Sequence, residues 1–250
     1  MNRKEIKLDG VENDRYEYFA KYLYRLFLSS DEENEIYEYD LAELGDANLF
    51  GVIEQNHYLL LNKSILKKFY IYWRSKLLVL KSSEQLIRFD DESTIKLSDL
   101  ASFFILIVNP NFASAWCRRR SNLIESRTFL NELKLNRIIL MKYFKSEQAF
   151  IHRRWLFRNY VINQSGDDLK DLYLREIDFL IDKIVPKVKS NYYCWSFLNW
   201  LLSHRILLDN RSLLDDLFKR YTSLIYLNPS DNCIFHSRLH LIHLIVDESN

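Results

Sequence analysis

The chain has 250 residues, 35 basic against 34 acidic side chains for a formal charge of +1, and only 4 glycines and 3 prolines. That length buries a substantial core in one domain or two, and the charge balance gives no global field to recruit nucleic acid or an acidic membrane surface. So little Gly and Pro argues against a turn-rich sheet architecture, and the reading is all-α.

The start, MNRKEIKLDG, is polar, and the longest apolar run, Phe103 to Val108, is six residues, against the ~20 that a membrane-spanning helix needs. No secretion signal or membrane insertion is expected. The end, HLIVDESN, offers no prenylatable cysteine. Three cysteines, Cys117, Cys194 and Cys233, without CxxC spacing, fit a reduced cytoplasmic protein and are expected to be small buried thiols.

In chain order, Tyr16, Phe19, Ala20, Leu23, Leu26 and Phe27 share one face of an amphipathic helix. The acidic stretch from Asp31, Glu32 and Glu33 to residue 43 reads as a solvated loop with at most a short helix. Phe69, Tyr70, Trp73, Leu77 and Leu80 return to helical spacing. Lys81 to Ser93 reads as an exposed hinge or loop, so residues 1–93 form a divergent helical part and residues 94–250 a more regular array. From Thr94 a helix runs to Val108, where Asn109 and Pro110 mark a turn, since proline disfavours helix in the residue before it and tolerates a helix start. Two strongly amphipathic stripes follow, Leu169, Leu172, Tyr173, Ile177, Leu180, Ile181 and Ile184, then Leu213, Leu214, Leu217, Phe218, Tyr221, Leu224 and Ile225; each needs a neighbour.

The array is organised by a pattern that occurs four times: a small residue, an aromatic, two spacers, then usually arginine. The copies are Ala115, Trp116 and Arg119; Ala149, Phe150 and Arg153; Cys194, Trp195 and Leu198; and Ile234, Phe235 and Arg238. The aromatics are 34 (116 to 150), 45 (150 to 195) and 40 (195 to 235) residues apart, and Asn228 and Pro229 stand before Phe235 at the offsets Asn109 and Pro110 hold from Trp116. Self-similarity at this spacing marks stacked helical hairpins, with motif helices near 113–126, 147–162, 191–207 and 231–246. The long interval holds Asn163 to Asp168, read as an enlarged loop. On a helix the arginine lies one turn beyond the aromatic, against the ring or in reach of neighbouring carbonyls. Trp116, Arg119, Phe150, Arg153, Trp195, Phe235 and Arg238 are therefore expected to be structural repeat anchors.

Other chemistry is poorly supported. Arg118 to Arg120 and Arg153 to Arg154 are short basic clusters without an RNA-binding signature, so no nucleic-acid partner is expected. Cys233, His236, His240 and His243 lie on one helix, but one straight helix cannot wrap a tetrahedron around an ion, and no glutamate lies within the histidine pair, so no metal site is expected. No glycine-rich phosphate loop, nucleophile elbow or isolated carboxylate pair is present. A self-sufficient active site is not written in this chain.

The stretches NPNFASAWCRRRSNLI, KSEQAFIHRRWLFRNY and SNYYCWSFLNWLL resemble the repeats of the protein prenyltransferase α-subunit family, over residues 94–247. The resemblance implies a right-handed α-α superhelix embracing a separate β subunit, in a heterodimer such as a geranylgeranyltransferase. In that family the β subunit holds zinc, and this chain is expected to bind no cofactor itself. The metal lowers the pKa of a cysteine thiol near the C-terminus of a protein substrate, and the thiolate attacks C1 of a prenyl diphosphate. By the same resemblance Lys145, five residues before Phe150, is expected to stabilise the departing diphosphate. Asn191 and Tyr192 keep the family's NY pair, and Tyr193 stands where a histidine lies near the phosphates, so Tyr192 and Tyr193 are expected on the phosphate side. Glu147 stands where the family has tyrosine. Two functions are open: an α-type enzyme subunit inactive alone, or a helical-repeat scaffold that binds protein partners without prenyl transfer.

Overall fold

The computed structural model describes residues 12–28, 38–42, 52–55, 58–80, 86–88, 94–125, 129–161, 167–204, 207 and 210–247. The chain forms two compact units, Met1–Tyr143 and Phe144–Asn250.

In chain order the first unit comprises α1 (Glu12–Leu28), β1 (Glu38–Ala42), β2 (Val52–Gln55), β3 (Tyr58–Asn62), α2 (Lys63–Val79), β4 (Leu86–Arg88), β5 (Thr94–Lys96), α3 (Leu97–Val108), α4 (Ala113–Glu125) and α5 (Phe129–Lys142). Its hub is α3. LSDLASFFILIV is apolar around most of the helix, and nine of its 12 residues are buried, as a helix without a polar face must be. α1, α2 and α4 pack on it. Phe19, Phe69, Trp73 and Phe104 meet there, with Phe19 and Phe69 ring centres 4.9 Å apart and Phe69 and Phe104 5.7 Å apart. Complete burial of Phe19, Phe103 and Phe104 stabilises the unit by about 1.5–3 kcal/mol per side chain.

Among the described residues five short strands are added to this helical core, where the sequence reading expected none. β3 pairs parallel with β1 and antiparallel with β2. Leu59 and Leu61 are buried, giving β3 an inward face at the period-2 spacing of a strand. Asn62 closes β3 and caps α2, its side chain accepting from Ser64 N. Residues 38–42 are thus strand rather than loop or short helix, because Tyr39 is buried and its hydroxyl donates to Ile107 O at 2.7 Å. Asp31, Glu32 and Glu33 lie outside the described residues. The expected exposed hinge contains β4, which pairs antiparallel with β5 and buries Ile87 against the unit. β5 occupies residues 94–96, so the helix expected from Thr94 begins at Leu97.

The second unit contains α6 (Glu147–Leu156), α7 (Asp167–Asp178), α8 (Tyr192–Leu202), α9 (Arg211–Leu227) and α10 (Asn232–Asp247). α6 continues as a wider turn through Phe157–Val161. α7 continues the same way through Phe179–Ile184 and ends in a tight turn, Val185–Lys187, with Pro186 near its start. The two amphipathic stripes face inward as their spacing requires: Tyr173, Ile177, Leu180 and Ile184 on one, Leu214, Leu217 and Tyr221 on the other, are all buried. α6 and α7 pack against α8, and α8 and α9 against α10.

The helical-repeat fold holds, and its punctuation is physical. Asn109 N donates to Ile105 O at 2.8 Å and Phe112 N to Asn109 O at 3.3 Å. Asn228 N donates to Leu224 O at 2.9 Å and Asp231 N to Asn228 O at 3.0 Å. Both asparagines end their helices with φ near −136°. The same turn is built twice, 119 residues apart. No described helix is long and apolar enough to cross a membrane.

Candidate functional site

The anchors define the repeat geometry. The small residue before each aromatic, Ala115, Ala149, Cys194 or Ile234, is buried, which lets a neighbouring helix approach. Trp116, Phe150 and Trp195 are at most 4% exposed, but Phe235 is 45% exposed. In the fourth copy the buried seat is held by Ile234, and Phe235 lies on the outer face of α10. Cys194 is also buried, but Cys117 is exposed and Cys233 half-buried. The expectation of three buried thiols fails because a residue one past the anchor, or two before it, leaves the inward stripe.

The arginines reach a neighbouring carbonyl or a ring, as expected, Arg119 at Asp99 O and Arg153 and Arg238 over Phe179 and Phe218, and the first two also meet carboxylates that were not expected. Arg119 donates from Nε to both carboxylate oxygens of Glu132 on α5, at 2.8 and 2.9 Å, and from Nη1 to Asp99 O at 3.0 Å. Burial alone would lower the Arg119 pKa, but the adjoining Glu132 carboxylate carries it upward. In the second copy Arg153 donates from Nε and Nη2 to Glu176 on α7. Both pairs are buried. In each, the motif helix is latched to the next helix by a forked ion pair, the geometry a guanidinium makes with a carboxylate. The third copy replaces the latch with apolar contact: Leu198 and Leu217 are both fully buried, and Trp195 meets Tyr221 edge-on at 5.2 Å. Glu132 and Glu176 were missed by sequence reasoning. Their signal is positional, 18 residues before Phe150 and 19 before Trp195.

The residues with candidate chemistry gather at one end of the second unit, at the starts of α6, α8 and α10. Four residues before each anchor stands a buried polar residue, Ser146, Asn191 or Asp231. Ser146 Oγ accepts from Ala149 N at 3.3 Å. Asn191 accepts from Cys194 N at 3.2 Å and donates to Phe144 O at 2.7 Å. Asp231 accepts from Cys233 N at 3.0 Å and from Ser190 N at 2.8 Å, tying α10 to the approach to α8. Side chains here satisfy helix-start amides that would otherwise lack partners.

Lys145 is exposed, one residue before this layer. Tyr192 is exposed and Tyr193 half-buried, their ring centres 5.8 Å apart. The Glu147 charge pushes the Tyr193 hydroxyl up, and the two groups are hydrogen-bonded. Cys233 is raised by burial and by Asp231, while Lys145 works in the opposite direction. Lys145, Asp231 and Cys233 thus act on one another electrostatically, as Glu147, Tyr192 and Tyr193 do. The expected phosphate-side residues share this end with two carboxylates, Glu147 and Asp231. The helix N-termini and the exposed Lys145 bring positive charge to this end, and Glu147 and Asp231 bring negative charge to it. Among the described residues no three His, Cys, Asp or Glu side chains group as metal ligands.

Fold and site together define a helical-repeat protein in which α6, α8 and α10 start in one polar layer and α4 and α6 each lock to the helix that follows through a buried arginine. The protein prenyltransferase alpha subunit repeat family matches residues 129–160, which span α5, the Lys145 turn and α6. Residues 129–160 therefore carry a prenyltransferase alpha subunit repeat. It is 27% identical to protein prenyltransferase alpha subunit repeat-containing protein 1 of Homo sapiens over 196 residues, covering 71% of this chain and 46% of the relative. The protein of the same name from Danio rerio is also 27% identical, over 193 residues, covering 71% of this chain and 43% of the relative. Repeat-containing protein 1-A of Xenopus laevis is 30% identical over 164 residues, covering 58% and 37%. The chain spans less than half the length of the curated relatives it matches.

Proposed function

We propose that this chain is an α-type subunit of a cytoplasmic heterodimeric protein prenyltransferase, supporting geranylgeranyl transfer from its diphosphate to a cysteine near the C-terminus of a protein substrate. The carrying observation is the alpha subunit repeat at residues 129–160, whose turn presents Lys145 among the starts of the motif helices. In this reading a β subunit would hold zinc, which would favour the thiolate form of the substrate cysteine. The thiolate forms a bond to C1 of the isoprenoid as the C–O bond breaks, and the electron pair leaves with the diphosphate. Lys145 places a cation, backed by helix N-termini, where that negative charge develops. Tyr192 and Tyr193 are placed to donate hydrogen bonds on the phosphate side.

A second reading, a scaffold without transfer activity, has one observation in its favour. Glu147, hydrogen-bonded to Tyr193, sets a carboxylate beside the cation where the transfer reading wants positive charge. Co-purification separates the two. The tagged chain should bring down a zinc-binding prenyltransferase β chain; recovery of other partners with no such chain would leave the scaffold reading standing and the subunit reading overturned.

A further inference from the structure

The charges of the chain balance as a whole, but they are not spread evenly. α2, KSILKKFYIYWRSKLLV, carries five basic side chains, Lys63, Lys67, Lys68, Arg74 and Lys76, and no acidic one. α1 and α9, of the same 17-residue length, carry three basic with three acidic side chains and three basic with two. All five cations of α2 are exposed. Among the described residues none of the five is paired with a carboxylate; Arg74 lies 5.8 Å over the Phe112 ring and Lys76 5.5 Å over Tyr72.

The packing of α2 fixes which way those charges face. Leu66, Phe69, Trp73 and Leu77 form its buried stripe, with the Phe69 ring centre 4.5 Å from Tyr16 of α1 and 5.7 Å from Phe104 of α3. The outward side carries Lys63, Lys67, Ile71, Arg74 and Leu78, which follow one another at steps of four, four, three and four residues and so line one stripe. Ile71 and Leu78 are 61% and 64% exposed, two apolar side chains set among cations.

We infer that this stripe docks α2 flat on an anionic phospholipid bilayer, with its cations against the headgroups and Ile71 and Leu78 between them. Unpaired cations ask for negative charge, and the attraction acts within about 8–10 Å, so the balanced charge of the distant surface does not oppose it. The apolar pair decides which anion. Single-stranded nucleic acid is held by exposed rings that stack on bases, and the stripe has none. A partner helix would need a continuous apolar face, and α2 has already buried its own against α1 and α3. A bilayer surface meets both features, since anionic headgroups attract Lys and Arg and the interface accepts apolar side chains. The inference does not rest on the transfer reading, because it uses none of Lys145, Tyr192 and Tyr193.

Vesicle sedimentation with the full chain tests it, using phosphatidylcholine alone and phosphatidylcholine mixed with phosphatidylserine. Binding should require phosphatidylserine and fall as sodium chloride is raised. Lys63→Gln, Lys67→Gln and Lys68→Gln together should weaken it by about tenfold or more, and Ile71→Ser with Leu78→Ser by about threefold or more. All five positions are exposed, so circular dichroism should show the fold intact. The same loss of charge at exposed positions of the second unit, Lys183→Gln, Lys189→Gln and Lys219→Gln, should leave binding within about twofold. Binding without preference for phosphatidylserine, equal weakening by the two lysine triples, or indifference to the apolar pair overturns the proposal. So does tighter binding to polyuridylate or polyglutamate than to the vesicles at equal anionic charge, lost in the α2 triple, because the stripe would then belong to nucleic acid or to an acidic protein.

Discussion

Arg153 and Glu176, 23 residues apart in the chain, form a buried forked pair that joins α6 to α7. Arg119 and Glu132 do the same between α4 and α5. Removing one partner strands an uncompensated buried charge, which costs about 3–5 kcal/mol. Glu176→Ala should therefore lower stability by about that amount in urea denaturation. The double change Arg153→Leu with Glu176→Leu, which copies the third repeat, should recover most of the loss. By contrast Arg220 bridges Asp178 and Asp182 at 2.7 and 2.6 Å on the surface, and Arg220→Ala should cost at most about 1 kcal/mol.

Ser190 has φ 54°, a left-handed conformation for a non-glycine residue, and Asp231 holds it there by accepting from its backbone N at 2.8 Å. A side chain in that region costs about 1–2 kcal/mol, so Ser190→Gly should be neutral or stabilising by up to about 1 kcal/mol. Asp231→Ala removes both this hold and the cap on α10, and should cost about 1–2 kcal/mol. Thermal unfolding of the two variants reads both signs.

The fold was legible wherever the sequence encoded a local physical event. The Asn109–Pro110 and Asn228–Pro229 turns could be matched by offset because each ends one helix and starts the next with the same hydrogen bonds. The anchors Trp116, Phe150 and Trp195 could be placed because helical periodicity fixes which face they share. Glu132 and Glu176 were hidden because a carboxylate on an amphipathic stripe ordinarily reads as solvated, and only its arginine, 13 or 23 residues away, makes its burial tolerable. β3 was hidden for another reason: YLLLN is too short for period alone to separate strand from buried helix. Phe235 could be placed on α10, but its exposure depends on what covers that face. At the site, residue spacing was enough to set Lys145, Tyr192 and Tyr193 near helix starts, but their roles came from resemblance. The hydrogen bond between Glu147 and Tyr193 was not legible, because it joins two helices.

Burial pushes the Tyr24, Tyr143 and Tyr173 hydroxyls up to about 12 from the usual 10. A folded-state pKa above the unfolded one gives stability that is complete below about pH 10 and lost as pH rises toward 12. Circular dichroism and tyrosinate absorbance followed together should show these groups ionising late, with unfolding in that window. Complete tyrosine ionisation near pH 10 with the helical signal intact would contradict the burial.

Lys145→Ala, made in the complex with a β subunit, should reduce the rate of transfer about tenfold, which corresponds to about 1.4 kcal/mol of transition-state stabilisation. Complex affinity should stay unchanged, because Lys145 is exposed. Glu147→Gln should act in the opposite direction by removing the nearby negative charge. Equal turnover for wild type and Lys145→Ala would remove lysine from the diphosphate side.

The most direct test is reconstituted transfer. The purified chain, a purified zinc-loaded prenyltransferase β subunit and labelled geranylgeranyl diphosphate are mixed with a protein ending in an accessible cysteine, and label on the thiol is measured. Transfer that requires both subunits, neither acting alone, is the predicted result. No transfer under conditions in which the two chains form a stable complex would contradict an enzymatic role for this protein.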